Sequence, residues 1–173
     1  MHHSRASLIP AALALFLGLA GPGRGDGGAP ETAVFLHDYY AAYSARDAAG
    51  LAAFYAPEAT FDDPSFELAL RGPEQIRKLL EIALAKYEAL EFEVAHTLSS
   101  GRELAVEGTM VGHLRGKVAR VRFVSVFEFA DGKIAAQRDM FDVLHFYTQL
   151  GVVPLQFRPK APAEAAKGAK TGG

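Results

Sequence analysis

The run Lys117–Ala130, KVARVRFVSVFEFA, constrains this chain more than any other stretch. Side chains alternate across a strand, so Val121, Phe123, Ser125, Phe127 and Phe129 share one face, while Arg120, Arg122 and Glu128 take the other. A helix would scatter those aromatic rings around its circumference. A sheet with one dry face keeps them together. Neighbouring runs at about residues 89–98, 102–114 and 133–144 are strand-like as well. Ala130-Asp131-Gly132-Lys133 is a hairpin turn with Gly where positive φ is needed. The C-terminal half therefore reads as a meander of four strands.

The half before it changes period. Phe35, Leu36, Tyr39, Tyr40 and Tyr43 fall on one arc at about 100° per residue, and His37, Asp38 and Ser44 lie off it. Asp47 is placed to cap a short second helix with Leu51, Phe54 and Tyr55 apolar, stopped by Pro57. Residues 59–63 alternate like a strand, ended by Pro64. Gly72-Pro73 opens a third helix, whose stripe is Ile76, Leu79, Leu80, Ala83, Leu84 and Tyr87. A short helix or turn near 144–150 closes the pattern. Helices gathered on one side of a mostly antiparallel sheet define an α+β fold, with no internal repeat and no second domain.

The ends of the 173-residue chain read differently. Leu8–Ala20 is an unbroken apolar run of 13 residues with Pro10 inside, too short for a bilayer core of ~30 Å. Gly18-Leu19-Ala20 has the small-x-small form of a cleavage site, so residues 1–20 read as a signal peptide cut after Ala20. A periplasmic or extracellular location, with no stable membrane anchor, is the expectation. Residues 21–30 (GPGRGDGGAP) read as a flexible linker, in which Arg24-Gly25-Asp26 is an accident of Gly-rich composition. Residues 159–173 read as a disordered tail, which leaves 31–158 for one domain.

Composition removes several functions. A formal net charge of -2 leaves no broad footprint for nucleic acid. With no Cys, disulfides, thiolate catalysis and Cys-bound zinc are excluded. His37, His96, His113 and His145 lack metal-ligand spacing, and no Gly-rich phosphate loop follows a strand, so neither metal nor other cofactor is expected.

Parity then isolates candidate chemistry. Phe61 and Asp63 share a face; Ala135, Gln137, Asp139, Phe141 and Val143 share another, with Arg138 and Met140 opposite. Asp63, Ser125, Gln137 and Asp139 thus sit on faces that otherwise carry Phe. A carboxylate there must be hydrogen-bonded or take up a proton, and its raised pKa suits a general base near neutral pH. The competing reading has these aspartates at sheet ends, capping a helix or paired with Arg71 or Arg138.

The stretch YYAAYSARDAAGLAAFYAPEATFDDP, followed by GPEQIRKLL, resembles the ketosteroid-isomerase branch of the nuclear-transport-factor-2-like superfamily. The end, DGKIAAQRDMFDVLHFYTQLGVVP, resembles SnoaL-like polyketide cyclases and limonene-epoxide-hydrolase relatives. Together these resemblances imply a cone-shaped barrel, a cystatin-like α+β roll. In it a strongly curved mixed sheet wraps a deep apolar pocket, and three helices from the N-terminal half cover it. They imply that Tyr39 stands at the oxyanion-hole tyrosine and Asp63 at the proton-shuttling aspartate of the isomerases. Ser125 falls where those isomerases keep a second oxyanion acid and the cyclases a His. Leu80 falls where the isomerases keep a supporting tyrosine. Asp139 matches the acid/base aspartate of the cyclases. Val106 and Gly108 occupy the positions of the epoxide hydrolases' Arg and second Asp.

The expectation is an exported pocket protein performing acid–base isomerisation, cyclisation or dehydration on a small apolar carbonyl compound. Asp63 would take a proton from carbon, Tyr39 would donate to the enolate oxygen, Asp139 would act as acid or second base, and Ser125 as a weaker donor. Tyr43, Phe61, Phe123, Phe127, Gln137 and Phe141 would hold the substrate, with Phe129 beside them in the wall. The alternative is a non-catalytic binding protein for a lipophilic ligand. Arg115, Lys117, Arg120 and Arg122 form a solvated rim, or else a clamp for an acidic group on the ligand. Val124 and Val126 offer an apolar patch for a homodimer.

Overall fold

The computed structural model describes residues 30–152. The signal, linker and tail expected at 1–20, 21–30 and 159–173 lie outside them except for Pro30, as do the last residues of the expected domain. Helix α1 (Thr32–Ala45) lays its aromatic arc on the core: Phe35 and Tyr39 are buried, and Leu36, Tyr40 and Tyr43 partly so. Asp47 caps α2 (Ala48–Ala52) by accepting from the Gly50 N–H at 2.8 Å. That helix is shorter than its sequence suggests. Tyr55 starts strand β1 (Tyr55–Asp63) instead of finishing α2, so Pro57 stands inside a strand. Proline brings no ladder donor, and it is accommodated because the pairing of β1 to its neighbour lapses between Tyr55 and Thr60.

A 3-10 turn at Pro64–Phe66 leads to β2 (Leu68–Arg71), which pairs back onto β1. The sequence reading missed this strand; four residues of an edge strand carry too little periodicity. Gly72 (φ 76°) and Pro73 open α3 (Gly72–Leu84), which buries Ile76, Leu80 and Leu84. The meander follows as β3 (Ala89–Ser100), β4 (Glu103–Leu114), β5 (Lys117–Ala130) and β6 (Lys133–Phe141), and α4 (Val143–Gln149) closes it. The six-stranded sheet runs β2-β1-β6-β5-β4-β3. Only the β1–β6 pair is parallel, so the sheet is mixed. It is a curved, open sheet with α1–α3 in the N-terminal half, the cone architecture expected.

Strand β5 behaves as its alternation demands: Ala119, Val121, Phe123, Ser125, Phe127 and Phe129 are buried, and Arg120 and Arg122 are exposed. One parity needs correction. Strand β6 buries Ile134 together with Gln137, whereas Ala135 had been grouped with Gln137. Phe129 pairs with Ile134 and Glu128 with Ala136, so Ala135 is the extra residue of a bulge. Past it the expected alternation resumes through Phe141.

The core lies between α1–α3 and the inner face of the sheet. Its centre is aromatic: Phe35 packs on Phe127 and Phe129 with centroids 5.2 and 5.0 Å apart, and Tyr39 on Phe127 at 5.4 Å. Gly108 marks where β4 passes tightest. A Cβ there would lie 2.5 Å from the Glu93 carbonyl oxygen and 2.8 Å from the Phe123 ring. Gly108→Ala should therefore destabilise the domain by about 1–3 kcal/mol, the usual scale of overpacking. Urea unfolding checks it, and an unchanged midpoint would contradict the close approach.

Candidate active site

Three strands gather the polar residues of the inner face. Ser125 and Asp139 are direct partners across β5 and β6. Phe61 pairs with Gln137 and Asp62 with Arg138 across β1 and β6, so Asp63 sits one residue past the last shared rung, level with Asp139. Adjacent strands are ~4.8 Å apart. The electrostatics agree, because the Asp63 charge helps to raise the pKa of Asp139. Helix α1 lays Tyr39, Tyr40 and Tyr43 over the group, and all three feel the Asp139 charge.

Gln137, 1% exposed, is the hub. Its Oε1 accepts from the Tyr39 hydroxyl at 2.8 Å and the Tyr55 hydroxyl at 2.6 Å. Its Nε2 donates to both Asp139 oxygens at 2.9 Å. Asp139 is largely enclosed by protein and keeps some accessible surface. Burial pushes its carboxyl up to about 6, against hydrogen bonds from Gln137 and Ser125 that favour the anion, with the Asp63 charge adding to the rise. That value is near the one a general base needs at neutral pH.

Asp63 has a different task. Its Oδ1 accepts from the Ser65 N–H at 2.9 Å and caps the 3-10 turn. Burial raises its pKa, and the backbone N–H of Ser65, the Ser65 side chain and the Phe66 N–H oppose that rise. The turn it caps shields it, and the Ser65 hydroxyl ties that turn to β6 by donating to the Phe141 carbonyl at 3.3 Å. For Asp63 the capping reading describes what the structure shows.

The tyrosines differ in their partners. Tyr39 is 1% exposed and its hydroxyl donates to Gln137. The phenol beside it, 3.1 Å away, is Tyr55 from β1, while Leu80 of α3 packs in the core. Tyr40 is the one whose hydroxyl is buried with no hydrogen-bond partner. Burial raises its pKa first, then the Asp139 charge, and nearby Ser125 eases it without reaching hydrogen-bond geometry.

Rings enclose this corner. Tyr40 stacks on Phe92 with centroids 4.7 Å apart; Tyr43 lies 5.1 Å and Phe123 5.6 Å from the same Phe92. Phe141 packs against Phe66 and Phe146 at the end of β6. Tyr43, Phe123 and Phe141 thus stand around the carboxylates, whereas Phe61, Phe127, Phe129 and Gln137 are core residues beneath them. Arg120 and Arg122 are exposed and paired with Glu93 and Glu107, which is the rim reading. Sequence reasoning passed over Tyr40, Tyr55 and Phe92 as site residues. Tyr55 was recoverable from its shared parity with Phe61 and Asp63, Tyr40 from the α1 arc; Phe92 carried no signal.

A curved mixed sheet with helices laid over its inner face defines a protein of the α+β cone class. Residues 36–137 match the family model described as SnoaL-like domain, and the chain belongs to that family. Several solved structures share the fold. A Catenulispora acidiphila protein with a ketosteroid isomerase-like fold, in complex with trimethylamine, is 20% identical, covering 76% of this chain and 99% of its own, with TM-score 0.65. A candidate SnoaL-like polyketide cyclase of Shewanella denitrificans is 17% identical over 70% of this chain and 97% of its own, with TM-score 0.62. An epoxide hydrolase of the LEH-like type from M. tuberculosis is 21% identical over 66% and 85%, with TM-score 0.58. No curated protein matches the sequence significantly.

The raised pKa of Asp139 has a stability consequence with a definite sign. Between pH ~4 and ~6 the folded form keeps a proton that the unfolded chain has lost. The contribution is full below that window and lost as pH rises through about 6. Asp139→Asn should therefore raise stability at pH 7 by up to about 3 kcal/mol and by far less at pH 4. Thermal melts at the two pH values test it; equal effects would place the carboxylate in water.

Proposed function

We propose that the protein is an acid–base enzyme for a small, largely apolar carbonyl compound, with Asp139 as its base. The observation that carries this reading is a carboxylate beside Tyr40 and Tyr43, held by Gln137, with its pKa near neutrality. A cyclase-type and a hydrolase-type neighbour on the same fold support it by analogy. An Asp139 oxygen takes the proton from the carbon beside the carbonyl. The C–H electron pair forms the enolate C=C as the carbonyl π pair moves onto oxygen, where the free hydroxyl of Tyr40 donates a hydrogen bond. Protonated Asp139 then returns the proton to another carbon (isomerisation), to the alkoxide formed when the carbanion closes on a second carbonyl (cyclisation), or to a β-hydroxyl that leaves as water when the carbanion expels it (dehydration). Asp63, its Oδ1 engaged by the turn it caps, shapes the rim and keeps the proton affinity of Asp139 high.

A lipophilic-metabolite library screened by thermal shift, with product analysis on each hit, supplies the substrate. Asp139→Asn should lower kcat by roughly a hundredfold or more, the scale of general-base catalysis, and Asp63→Asn by less. The kcat/KM profile should rise as pH passes about 6. Hits that bind and emerge unchanged would make the protein a binder of lipophilic ligands.

The same reading includes a homodimer through the outer sheet face and export directed by residues 1–20. On that face Leu98 and Met140 are exposed beside Val124 and Val126. A cleft of about 220 Å³ there is lined by Asp62, Glu103, Glu128 and Arg138 around Val126 and Ala136. Carboxylates and a guanidinium on one patch suit self-complementary, two-fold pairing. Sedimentation equilibrium should give a dimer that Val126→Glu splits; a monomeric native protein ends that part. N-terminal sequencing of the released protein should begin at Gly21.

A further inference from the structure

Gln137 is a polar residue of the inner face that no ligand can reach. At 1% exposure it is as buried as the phenylalanines around it, yet its carbonyl and its amide are both engaged. We propose that Gln137 is a positioning residue that, locked by Tyr39 and Tyr55, aims the Asp139 carboxylate and holds it ionised for reaction. The proposal rests on Asp139 being the base.

The lock comes from counting donors. Two phenol hydroxyls in a dry core each need an acceptor, because an unmade buried hydrogen bond costs more than a made one returns. Oε1 serves both, at 2.8 and 2.6 Å. Its position fixes the other end of the amide, so Nε2 must face Asp139. Reversed, the amide would set its oxygen against the carboxylate, acceptor to acceptor. An amide donor gains roughly twice as much from an anion as from a neutral acid, so this orientation favours the ionised form. Backbone geometry supplies the reach: residues two apart on β6 share a face, and the bulge at Ala135 lets Ile134 and Gln137 both point inward. Around Asp139 the other titratable groups are Asp63 at the end of β1, Tyr55 on β1, and Tyr39, Tyr40 and Tyr43 on α1, with the Ser125 hydroxyl on β5. Of these groups, the Gln137 amide and the Ser125 hydroxyl favour the anion by hydrogen bonding.

The test reads the carboxyl itself. A ¹³C carboxyl NMR titration of the full chain, with Asp139→Asn to assign the resonance, should give a midpoint near 6 in the native protein. Gln137→Leu should move it to ~7 or above, the shift a hydrogen bond to a charged group supplies. Tyr55→Phe removes one hydroxyl and should move it part of the way; it carries the test alone if the Leu variant does not fold. On any substrate turned over, the acid limb of kcat/KM should follow the NMR midpoint. A midpoint unmoved in a folded Gln137→Leu variant, or in Tyr55→Phe when that variant stands alone, overturns the proposal. The titration needs no turnover, so the two readings fail separately. A moved midpoint with Asp139→Asn at full rate sinks Asp139 as base and leaves the clamp standing, while an unmoved midpoint with Asp139→Asn inactive does the reverse.

Discussion

A carboxylate set into an aromatic wall must be given donors or take up a proton, and much of the polar arrangement in this fold answers to that demand at Asp139. Ser125 reaches it from the next strand, Gln137 from two residues back on its own strand. Tyr39 and Tyr55, deep in the core, hydrogen-bond the Gln137 amide that holds it. The result is an acid poised near neutrality, neither fully solvated nor fully silenced. Polar groups in a core are costly unless every partner is present, and here the chain of partners is continuous from helix to strand to carboxylate.

Much of the architecture was legible because it rests on period. The alternation of β5, the apolar stripe of α3 and the Asp47 cap all appear in the structure as the residues imply. What escaped were features that depend on breaks in period. Pro57 looks like a helix stop, but it stands in a stretch of β1 that lacks pairing to β6, so Tyr55 was placed on the wrong element. The bulge at Ala135 shifts one residue of β6 without any Gly or Pro to announce it.

The site was legible in its residue types and much less in their assignments. Parity put Asp63, Ser125, Gln137 and Asp139 on faces that carry Phe, and the pairing of β1 and β5 with β6 makes those faces one. It could not tell which aspartate would be consumed by a turn or which tyrosine would keep a free hydroxyl. Those outcomes hang on hydrogen bonds to Ser65 and to Gln137, contacts that no spacing in the chain encodes. Resemblance to relatives selects Tyr39 by position, while the unpaired hydroxyl selects Tyr40.

The lone parallel pairing, of β1 with β6, also governs when this apparatus can exist. A chain emerging from its N-terminus first presents Tyr39, Tyr55 and Asp63 long before Gln137 and Asp139 have been made. Until β6 slots in between β1 and β5, the phenols lack their acceptor and the half-built sheet has two raw margins. Insertion of that last strand therefore joins the two halves of the sheet and brings the phenols and Asp139 their shared amide in a single event, so a truncated or stalled product would lack both.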